Sequence, residues 1–312
     1  MPYLVELTQR LGAGLEQLTE SERARQSSFF WSRQRPDGGF CGRTEASDLY
    51  YTAFALRGLA VLGSDDRPRA ERAAEYIRQR SLGQASVIDL ISLVFAARLL
   101  EAWLGETVLG GAVNWPHSVA AVLEQLRRPD GGYAKSAEGH ASSTYQTFLS
   151  ALAYQLLELP LPDSERAVEF VLGQQREDGG FVEIGVMRRS GTNPTAAAIG
   201  VLQILEPQRI TSQLQTQTAD FLVGNVTREG GLRANTQIPI ADLLSTYTGL
   251  QTFADIGAGC QVDYEAALKY VQALQQPSGG FAAAAWDDGV DVEYSFYGVA
   301  ALGLLYEAGT RP

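Results

Sequence analysis

The stretch Gln175-Arg176-Glu177-Asp178-Gly179-Gly180-Phe181 decides the fold, because its Gly-Gly-aromatic pattern recurs along the chain. The related turns are Asp37-Gly38-Gly39-Phe40, Asp130-Gly131-Gly132-Tyr133, Arg228-Glu229-Gly230-Gly231-Leu232 and Pro277-Ser278-Gly279-Gly280-Phe281. Neighbouring turns lie about 50 residues apart, and the first gap is about twice as long, which is the signature of an array of repeated units. We therefore expect six units, of which one, near 64–110, has lost its signature around 81–84.

Each turn is flanked by two helical patterns. An amphipathic stretch such as 163–175 precedes it, and a stretch of small and apolar residues such as 194–205 follows it. The sequence predicts about twelve helices, near 20–33, 48–62, 67–80, 87–104, 116–127, 142–158, 163–175, 194–205, 211–223, 241–256, 264–275 and 292–306. Because buried and amphipathic helices alternate, we expect an all-α fold of six helical hairpins in an inner and an outer layer. The prediction is a single domain over 1–312, and the lack of polar end caps favours closure into a ring.

Composition excludes several classes of protein. The chain has 312 residues, of which 45% are hydrophobic and 20% charged, as in a globular protein. A net charge of −11 argues against nucleic acid or an anionic membrane surface as a partner. No apolar run is long enough to span a membrane, and the first residues lack a signal-peptide layout. With two cysteines and no disulfide framework, we expect a cytoplasmic protein.

The repeat unit resembles that of the prenyltransferase and squalene-cyclase family. The stretch from Val290 to Leu302 and the stretch from Ser47 to Thr52 are most similar to protein prenyltransferase β subunits. The resemblance implies an α/α toroid with a central apolar funnel that binds an isoprenoid diphosphate. It also implies an α-subunit-like protein partner, because those β subunits work as heterodimers.

The catalytic positions depart from this family. Its members bind zinc with an Asp-x-Cys and a His, which activate an acceptor thiol as the thiolate. Here these positions read Asp242-Leu243-Leu244 and Tyr294, so only Asp242 matches, and a carboxylate with a phenol is a poor zinc set. Asp242 is also interpreted as a helix N-cap, like Asp48 and Asp89. The catalytic candidates are Asp242, Tyr294 and His140, the last at the start of the third inner helix as a cation or an acid/base. The alternative for His140 is a surface histidine that caps a helix or only forms hydrogen bonds.

The diphosphate site of the family is half preserved. Arg189, beside Arg188, stands where the family has a phosphate-binding His, and a guanidinium suits that role. The family's Arg-x-x-Lys is replaced by the uncharged stretch 235–239, with Arg233 the basic residue nearby. The alternative is an exposed basic pair in a loop. We expect Arg189→Ala to weaken diphosphate binding by roughly ten- to a hundredfold.

Aromatic residues recur at the starts of the inner helices. In a funnel, Tyr50, Tyr145, Tyr247 and Phe296 would form the apolar wall against the hydrocarbon. The alternative is that these rings simply fill the core. At the rim we expect His140, Arg188, Arg189, Asp242 and Tyr294.

A terpene-cyclase-like chemistry has weaker support. The Asp-x-Asp-Asp motif of class II cyclases is absent, and the closest acidic run is Asp287, Asp288 and Asp291. That spacing binds Mg²⁺ when it lies on a helix, but here it precedes a helix and contains Gly289, so a solvated loop competes with a Mg²⁺ site. The sequence gives no firm cofactor.

Three functions remain open. The first is a prenyltransferase-β-like protein that binds an isoprenoid diphosphate and transfers or processes the prenyl chain. The second is a non-catalytic protein that binds an isoprenoid or another apolar lipid. The third is a small terpene-cyclase-like enzyme that uses Asp or Tyr acids.

Overall fold

The computed structural model describes residues 2–80, 87–109 and 114–309, and within these residues it contains thirteen α-helices and no strand. The helices are α1 (Tyr3–Leu15), α2 (Glu20–Ser32), α3 (Leu49–Val61), α4 (Arg67–Arg78), α5 (Val87–Leu104), α6 (Trp115–Glu124), α7 (Thr144–Leu156), α8 (Ser164–Leu172), α9 (Thr192–Leu205), α10 (Ser212–Val223), α11 (Leu243–Asp255), α12 (Tyr264–Ala273) and α13 (Val292–Gly309). Twelve of them match the predicted helices to within a few residues at each end. None of the described helices is long and apolar enough to cross a membrane.

The helix α1 was not predicted, so the described residues contain one helix more than the twelve placed from the sequence. Its leucines at positions 4, 7, 11 and 15 are buried, so the helix is amphipathic. Two glycines in its last turns obscured this pattern, because glycine lowers helix propensity. The structure gives the reason for Gly14: a Cβ there would lie 1.8 Å from the carbonyl oxygen of Gly303 in α13. Only glycine permits so close a contact between the two helices.

The first glycine of each turn packs against the outer helix of the next repeat. Gly38 has a φ of +91°, and a Cβ on it would lie 2.1 Å from the carbonyl oxygen of Arg72 in α4. Gly279 in the last repeat has a φ of +95° and makes the same contact with Arg25 in α2, at 2.6 Å. Both positions require glycine, for the backbone conformation and for the space. The turn is thus a recognition element between repeats as well as a chain reversal.

The second glycine of each turn lies under an aromatic ring from that same outer helix. The rings are Tyr76 over Gly39, Phe170 over Gly132, Phe221 over Gly180, Tyr270 over Gly231 and Phe29 over Gly280. Residues 81–86, where the sixth signature was expected, lie outside the described part of the chain.

A hydroxyl group on each inner helix holds the turn that precedes it. The backbone N–H of Phe40 donates to Oγ1 of Thr52 at 2.9 Å. The equivalent bonds join Tyr133 to Thr147, Phe181 to Thr195, Leu232 to Thr246 and Phe281 to Ser295. Because these N–H groups are buried, the hydroxyl satisfies a donor that would otherwise destabilise the fold.

An arginine fastens the loop between the turn and the inner helix in three of the repeats. Arg35 donates to the carbonyls of Thr44 and Glu45. Arg128 and Arg176 bind loop carbonyls in the same way, with Arg176 reaching Gly185 at 2.8 Å. All these acceptors are backbone oxygens, so these bonds do not depend on which side chains the loop carries.

The chain divides into two compact units, one formed by Met1–Leu4 and Ala121–Gln272, the other by Val5–Ala120 and Ala273–Pro312. In the first unit, α9 packs between α7 and α11, and its core includes Phe181, Leu232 and Phe253. In the second unit, α3 packs between α5 and α13. The last inner helix is therefore a neighbour of the first.

Candidate functional site

The helix α3 presents two different faces within the second unit. One face meets the outer layer, because Gly58 lies under the ring of Phe30 and Thr52 binds the turn at Phe40. Tyr50, Phe54 and Arg57 follow one another at i, i+4 and i+7, so they share one face, which points away from Thr52. That is the inner face, and it carries the groups that can meet a ligand.

Four rings from α3 and α13 pack against one another, and we call this cluster the aromatic face: Tyr50, Phe54, Phe296 and Tyr297. Phe54 lies at its centre, with ring centroids 4.9 Å from Tyr50, 5.7 Å from Phe296 and 5.4 Å from Tyr297. Phe296 is 1% exposed and Phe54 7%, whereas Tyr50 is half-buried. The structure thus brings together two of the predicted wall residues, Tyr50 and Phe296, through Phe54.

A carboxylic acid is set into the aromatic face. Oε1 of Glu293 accepts hydrogen bonds from the phenols of Tyr50, at 2.6 Å, and Tyr297, at 3.1 Å. Burial raises the pKa of the Glu293 carboxyl, and the nearby charge of Asp291 acts in the same direction, whereas the two phenols oppose the shift. Since desolvation outweighs the hydrogen bonds, this acid holds its proton to a higher pH than an exposed glutamate does.

A guanidinium completes the inner face of α3. The Cζ atom of Arg57 lies 4.0 Å from the ring centroid of Phe296, 5.0 Å from that of Phe95 and 5.2 Å from that of Phe54. These rings come from α13, α5 and α3, so three inner helices fix its position by cation–π contacts. Neither Arg57 nor Glu293 was among the predicted site residues.

The acidic run before α13 binds an arginine. Arg43 forms ion pairs with Asp287 at 2.7 Å and with Asp291 at 3.4 Å. The backbone N–H of Gly289 lowers the pKa of Asp287, with help from Arg43, while burial raises the pKa of Asp291. Asp291 also caps α13 by accepting from the N–H of Tyr294. Asp288 is exposed beside them, so two of the three predicted Mg²⁺ candidates already share a cation from the chain itself.

Asp242 has the capping role that the sequence offered as its alternative. Its two carboxylate oxygens accept from the backbone N–H and the hydroxyl of Ser245, both at 2.7 Å. Burial raises the pKa of this carboxyl against those bonds. Among the described residues, no group of three His, Cys, Asp or Glu side chains could hold a metal ion. With Leu244 and Tyr294 at the other family positions, the residues present do not fit zinc.

The basic residues of the predicted phosphate site differ in their surroundings. Arg188 and Arg189 are exposed in the loop before α9, and within the described residues neither has an ion pair or a hydrogen bond from its side chain. The guanidinium of Arg233 instead donates to the carbonyl of Gly224 at 2.9 Å, near the end of α10. The backbones of these two loops are joined, since Thr192 bonds to Ala234 at 2.9 Å.

The remaining candidates lie at the starts of inner helices, as predicted. His140 is exposed in the loop before α7, and Tyr145 in its first turn is 39% exposed. Tyr247 is buried in α11. Tyr294 lies edge-on to Tyr297, with a centroid distance of 5.9 Å, and so borders the aromatic face.

Sequence signals for the two missed residues exist. Arg57 is the lone charge in the apolar helix Leu49–Val61, and Glu293 is the lone charge in Val292–Leu305. A single charge inside a buried helix needs a partner or a function, because desolvation of an unpaired charge is unfavourable. Both residues lie outside the family's ligand positions, so the resemblance does not point to them.

The comparisons with known proteins agree with the fold. The family model of the prenyltransferase alpha-alpha toroid domain matches residues 3–205, 96–238 and 195–310. No curated protein matches the sequence.

Several solved structures share the fold. The Candida albicans protein geranylgeranyltransferase-I complexed with GGPP is 17% identical, with a TM-score of 0.68 over 90% of this chain and 90% of that chain. The type II terpene cyclase MstE from Scytonema, in complex with geranylgeranyl dihydroxybenzoate, is 14% identical, with a TM-score of 0.61 over 97% and 99%. The GH76A alpha-1,6-mannanase from Salegentibacter sp. HEL1_6 is 13% identical, with a TM-score of 0.63 over 91% and 98%. At these identities the likeness concerns the fold alone, and the mannanase shows that this architecture serves more than one chemistry.

Proposed function

The chain belongs to the prenyltransferase alpha-alpha toroid family, and we propose that it binds an isoprenoid diphosphate and transfers or otherwise processes the prenyl chain. The observation that carries this proposal is the aromatic face. It sets the half-buried ring of Tyr50 beside three buried rings on two inner helices, and aromatic rings suit an unsaturated hydrocarbon. The family and the all-α toroid fold predicted from the repeat are confirmed.

The size of the proposed ligand rests on the neighbouring structures. The geranylgeranyltransferase complex contains GGPP, and the terpene cyclase complex contains a geranylgeranyl dihydroxybenzoate. Farnesyl and geranylgeranyl diphosphates are therefore the probes to use first. In this proposal, the sequence-based roles of Arg188 and Arg189 in phosphate binding stay predictions, supported by their lack of ion pairs within the described residues.

The proposed transfer does not proceed through zinc, because the donor set is absent. Asp242 is a single carboxylate that already caps a helix, and one ligand is too few to hold zinc. The group that accepts the prenyl chain would then be more nucleophilic than a neutral thiol. Alternatively, the prenyl chain would react with itself.

A terpene-cyclase-like reaction is the second candidate, and Glu293 favours it. Protonation of an alkene needs a carboxylic acid that keeps its proton and aromatic rings that stabilise the resulting cation. Glu293 has a raised pKa and lies among Tyr50, Tyr297 and Phe54. The proton would pass from the carboxyl to one alkene carbon, leaving the positive charge on the other. Loss of a proton or attack by a nucleophile would end the reaction.

The binding test uses calorimetric titration of farnesyl diphosphate and farnesol into the wild type and two matched variants. Phe54→Leu alters the aromatic face, whereas Phe30→Leu makes the same change at the outer helix under Gly58. We expect Phe54→Leu to weaken both ligands about tenfold and Phe30→Leu to leave both unchanged. A wild type that binds neither ligand, or equal losses in the two variants, would contradict the proposal.

Product analysis separates the candidate activities. The wild type is incubated with geranylgeranyl diphosphate, and the lipid products are identified by mass spectrometry. Diphosphate release with a prenylated acceptor supports transfer, and a cyclic isomer that disappears in Glu293→Gln supports cyclisation. Binding without turnover supports a non-catalytic isoprenoid-binding protein.

An α-subunit-like partner and a cytoplasmic location belong to the same proposal. Turnover by the isolated chain at the rate of the chain in a cell extract would contradict the partner. Cell fractionation tests the location.

A further inference from the structure

Aromatic rings hold Arg57 in place. Within the described residues, no carboxylate forms an ion pair with it and no acceptor bonds to it, and its guanidinium lies against the three phenyl rings of Phe54, Phe95 and Phe296. The ring of Phe296, at 4.0 Å, is in van der Waals contact with the guanidinium. The side chain is half-buried, and none of its nitrogen atoms is both fully buried and without a hydrogen-bond partner.

This arrangement leaves the edge of the guanidinium for a ligand. A guanidinium has five N–H donors in a planar fork and no acceptor of its own. Aromatic contacts cover its faces but satisfy none of those donors. The donors therefore point to accessible space beside the inner face of α3, where the aromatic face begins one helical turn away at Phe54.

We propose that Arg57 binds the anionic group of the isoprenoid ligand, a diphosphate or a carboxylate, while the hydrocarbon lies on the aromatic face. The inference rests on the proposed function, since it assigns a residue within that isoprenoid site. A fork of N–H donors matches two oxygens of a phosphate or carboxylate in a bidentate contact. Three rings hold the fork, so little side-chain freedom is lost when the ligand binds.

The surroundings of Arg57 make it a stronger anion site than the loop pair Arg188 and Arg189. Those two side chains are exposed, so water and salt screen their charges. Arg57 is partly shielded by apolar rings, and a charge in that setting attracts an anion more strongly and with less sensitivity to salt.

The test compares three ligands of one hydrocarbon length by calorimetric titration: farnesyl diphosphate, farnesoic acid and farnesol. The proteins are the wild type, Arg57→Met, Arg57→Lys and the double variant Arg188→Gln/Arg189→Gln. We expect Arg57→Met to lose at least about tenfold in affinity for the diphosphate and the acid, with farnesol unchanged within about twofold. Arg57→Lys should recover part of the loss, because it keeps the charge but not the fork. The double variant should lose less, and its loss should shrink as salt rises.

Each outcome decides a separate question. A wild type that binds none of the three ligands contradicts the proposed function itself. A wild type that binds the diphosphate, with the same affinity in Arg57→Met, overturns the role of Arg57 and leaves the proposed function standing. Equal losses for farnesol and the diphosphate would show that Arg57 only supports packing, and they too overturn the role. If Arg57→Met does not fold, as judged by circular dichroism, the comparison between Arg57→Lys and wild type for the acid decides, because loss of the bidentate contact must then appear there.

Discussion

The phenol of Tyr50 on α3 donates a 2.6 Å hydrogen bond to Glu293 on α13, and so links the first inner helix to the last. Glu293 in turn accepts a longer bond, at 3.1 Å, from Tyr297 one turn along its own helix. The link is polar but lies within an apolar surface, where an unsatisfied oxygen is costly. The contribution of the Tyr50–Glu293 hydrogen bond can be measured by replacing either residue.

Replacement of Tyr50 by Phe removes the shorter of these bonds. We expect the pKa of the Glu293 carboxyl to rise further, because the Tyr50 hydroxyl stabilises the carboxylate. The free energy of unfolding should fall by about 1 kcal/mol. Tyr51→Phe is the control, since Tyr51 is half-buried beside it and its hydroxyl has no bond within the described residues. Urea unfolding and an NMR titration of the carboxyl carbon give both quantities, and similar values in the two variants would speak against the link.

The raised pKa of Glu293 predicts a pH dependence of stability. The folded pKa lies above the ordinary value of 4.5, so protonated Glu293 favours the folded state. Its contribution is complete below 4.5 and is lost as the pH rises through the folded pKa. Relative to Glu293→Gln, which keeps an acceptor for Tyr50, the wild type should therefore lose stability as the pH increases. Urea unfolding at pH values on both sides of 4.5 checks this, and a difference that stays constant with pH would refute it.

The contact between Gly279 and α2 predicts a large effect of a small change. In Gly279→Ala, the added Cβ lies 2.6 Å from the carbonyl oxygen of Arg25. The alanine must also adopt a backbone φ of +95°. Gly63→Ala is the matched control, because Gly63 has a φ of +63° and nothing within 4 Å of a Cβ. We expect the control to lose about 1 kcal/mol from backbone strain, and Gly279→Ala to lose about 1–3 kcal/mol more from the clash. Equal losses in thermal unfolding would mean that the helix simply moves aside.

The hydroxyl of Thr52 predicts a difference between a replacement that removes it and one that keeps it. Thr52→Val keeps the volume but leaves the buried N–H of Phe40 without an acceptor, which should cost about 1–3 kcal/mol. Thr52→Ser should be close to wild type, because Ser295 performs the same task in the last repeat at 3.0 Å. Chemical denaturation of both variants tests this, and a stable Thr52→Val would show that the N–H finds another partner.

We also propose that residues 1–312 form one domain of six repeats. Neighbouring repeats share contacts, so their unfolding should be coupled. Calorimetry should then show one transition, and two resolved transitions would instead assign separate domains to the two compact units.

The sequence predicts most of the fold because the repeat marks its own boundaries. The Gly-Gly turns place each hairpin, and the apolar and amphipathic patterns place the helices around them. The helix α1 was not predicted because Gly14 is required by a tertiary contact with Gly303. Such a contact is not visible in the periodicity of the sequence. The hydroxyls at Thr52 and its equivalents are visible only once a turn and a helix are seen in contact.

Less of the candidate site could be predicted, because this chain has different residues at the family's ligand positions. Tyr50 and Phe296 do lie on one surface, through Phe54. Asp242 is engaged as a helix cap, and Asp287 and Asp291 share Arg43. Arg57 and Glu293 are visible in the sequence as lone charges inside apolar helices. Their surroundings, which decide their role, are visible only in the structure.

The arginines that fasten the loops through backbone carbonyls have a consequence for how this protein can change over time. Since Arg128 and Arg176 bind Gly139 and Gly185 through main-chain oxygens, these bonds persist whatever side chains the loops carry. We expect substitutions at exposed loop positions to have little effect on folding, so that they can accumulate during evolution. His140 in one such loop, and Val186, Arg188 and Arg189 in the next, occupy positions where new ligand preferences can arise by single mutations on an unchanged scaffold.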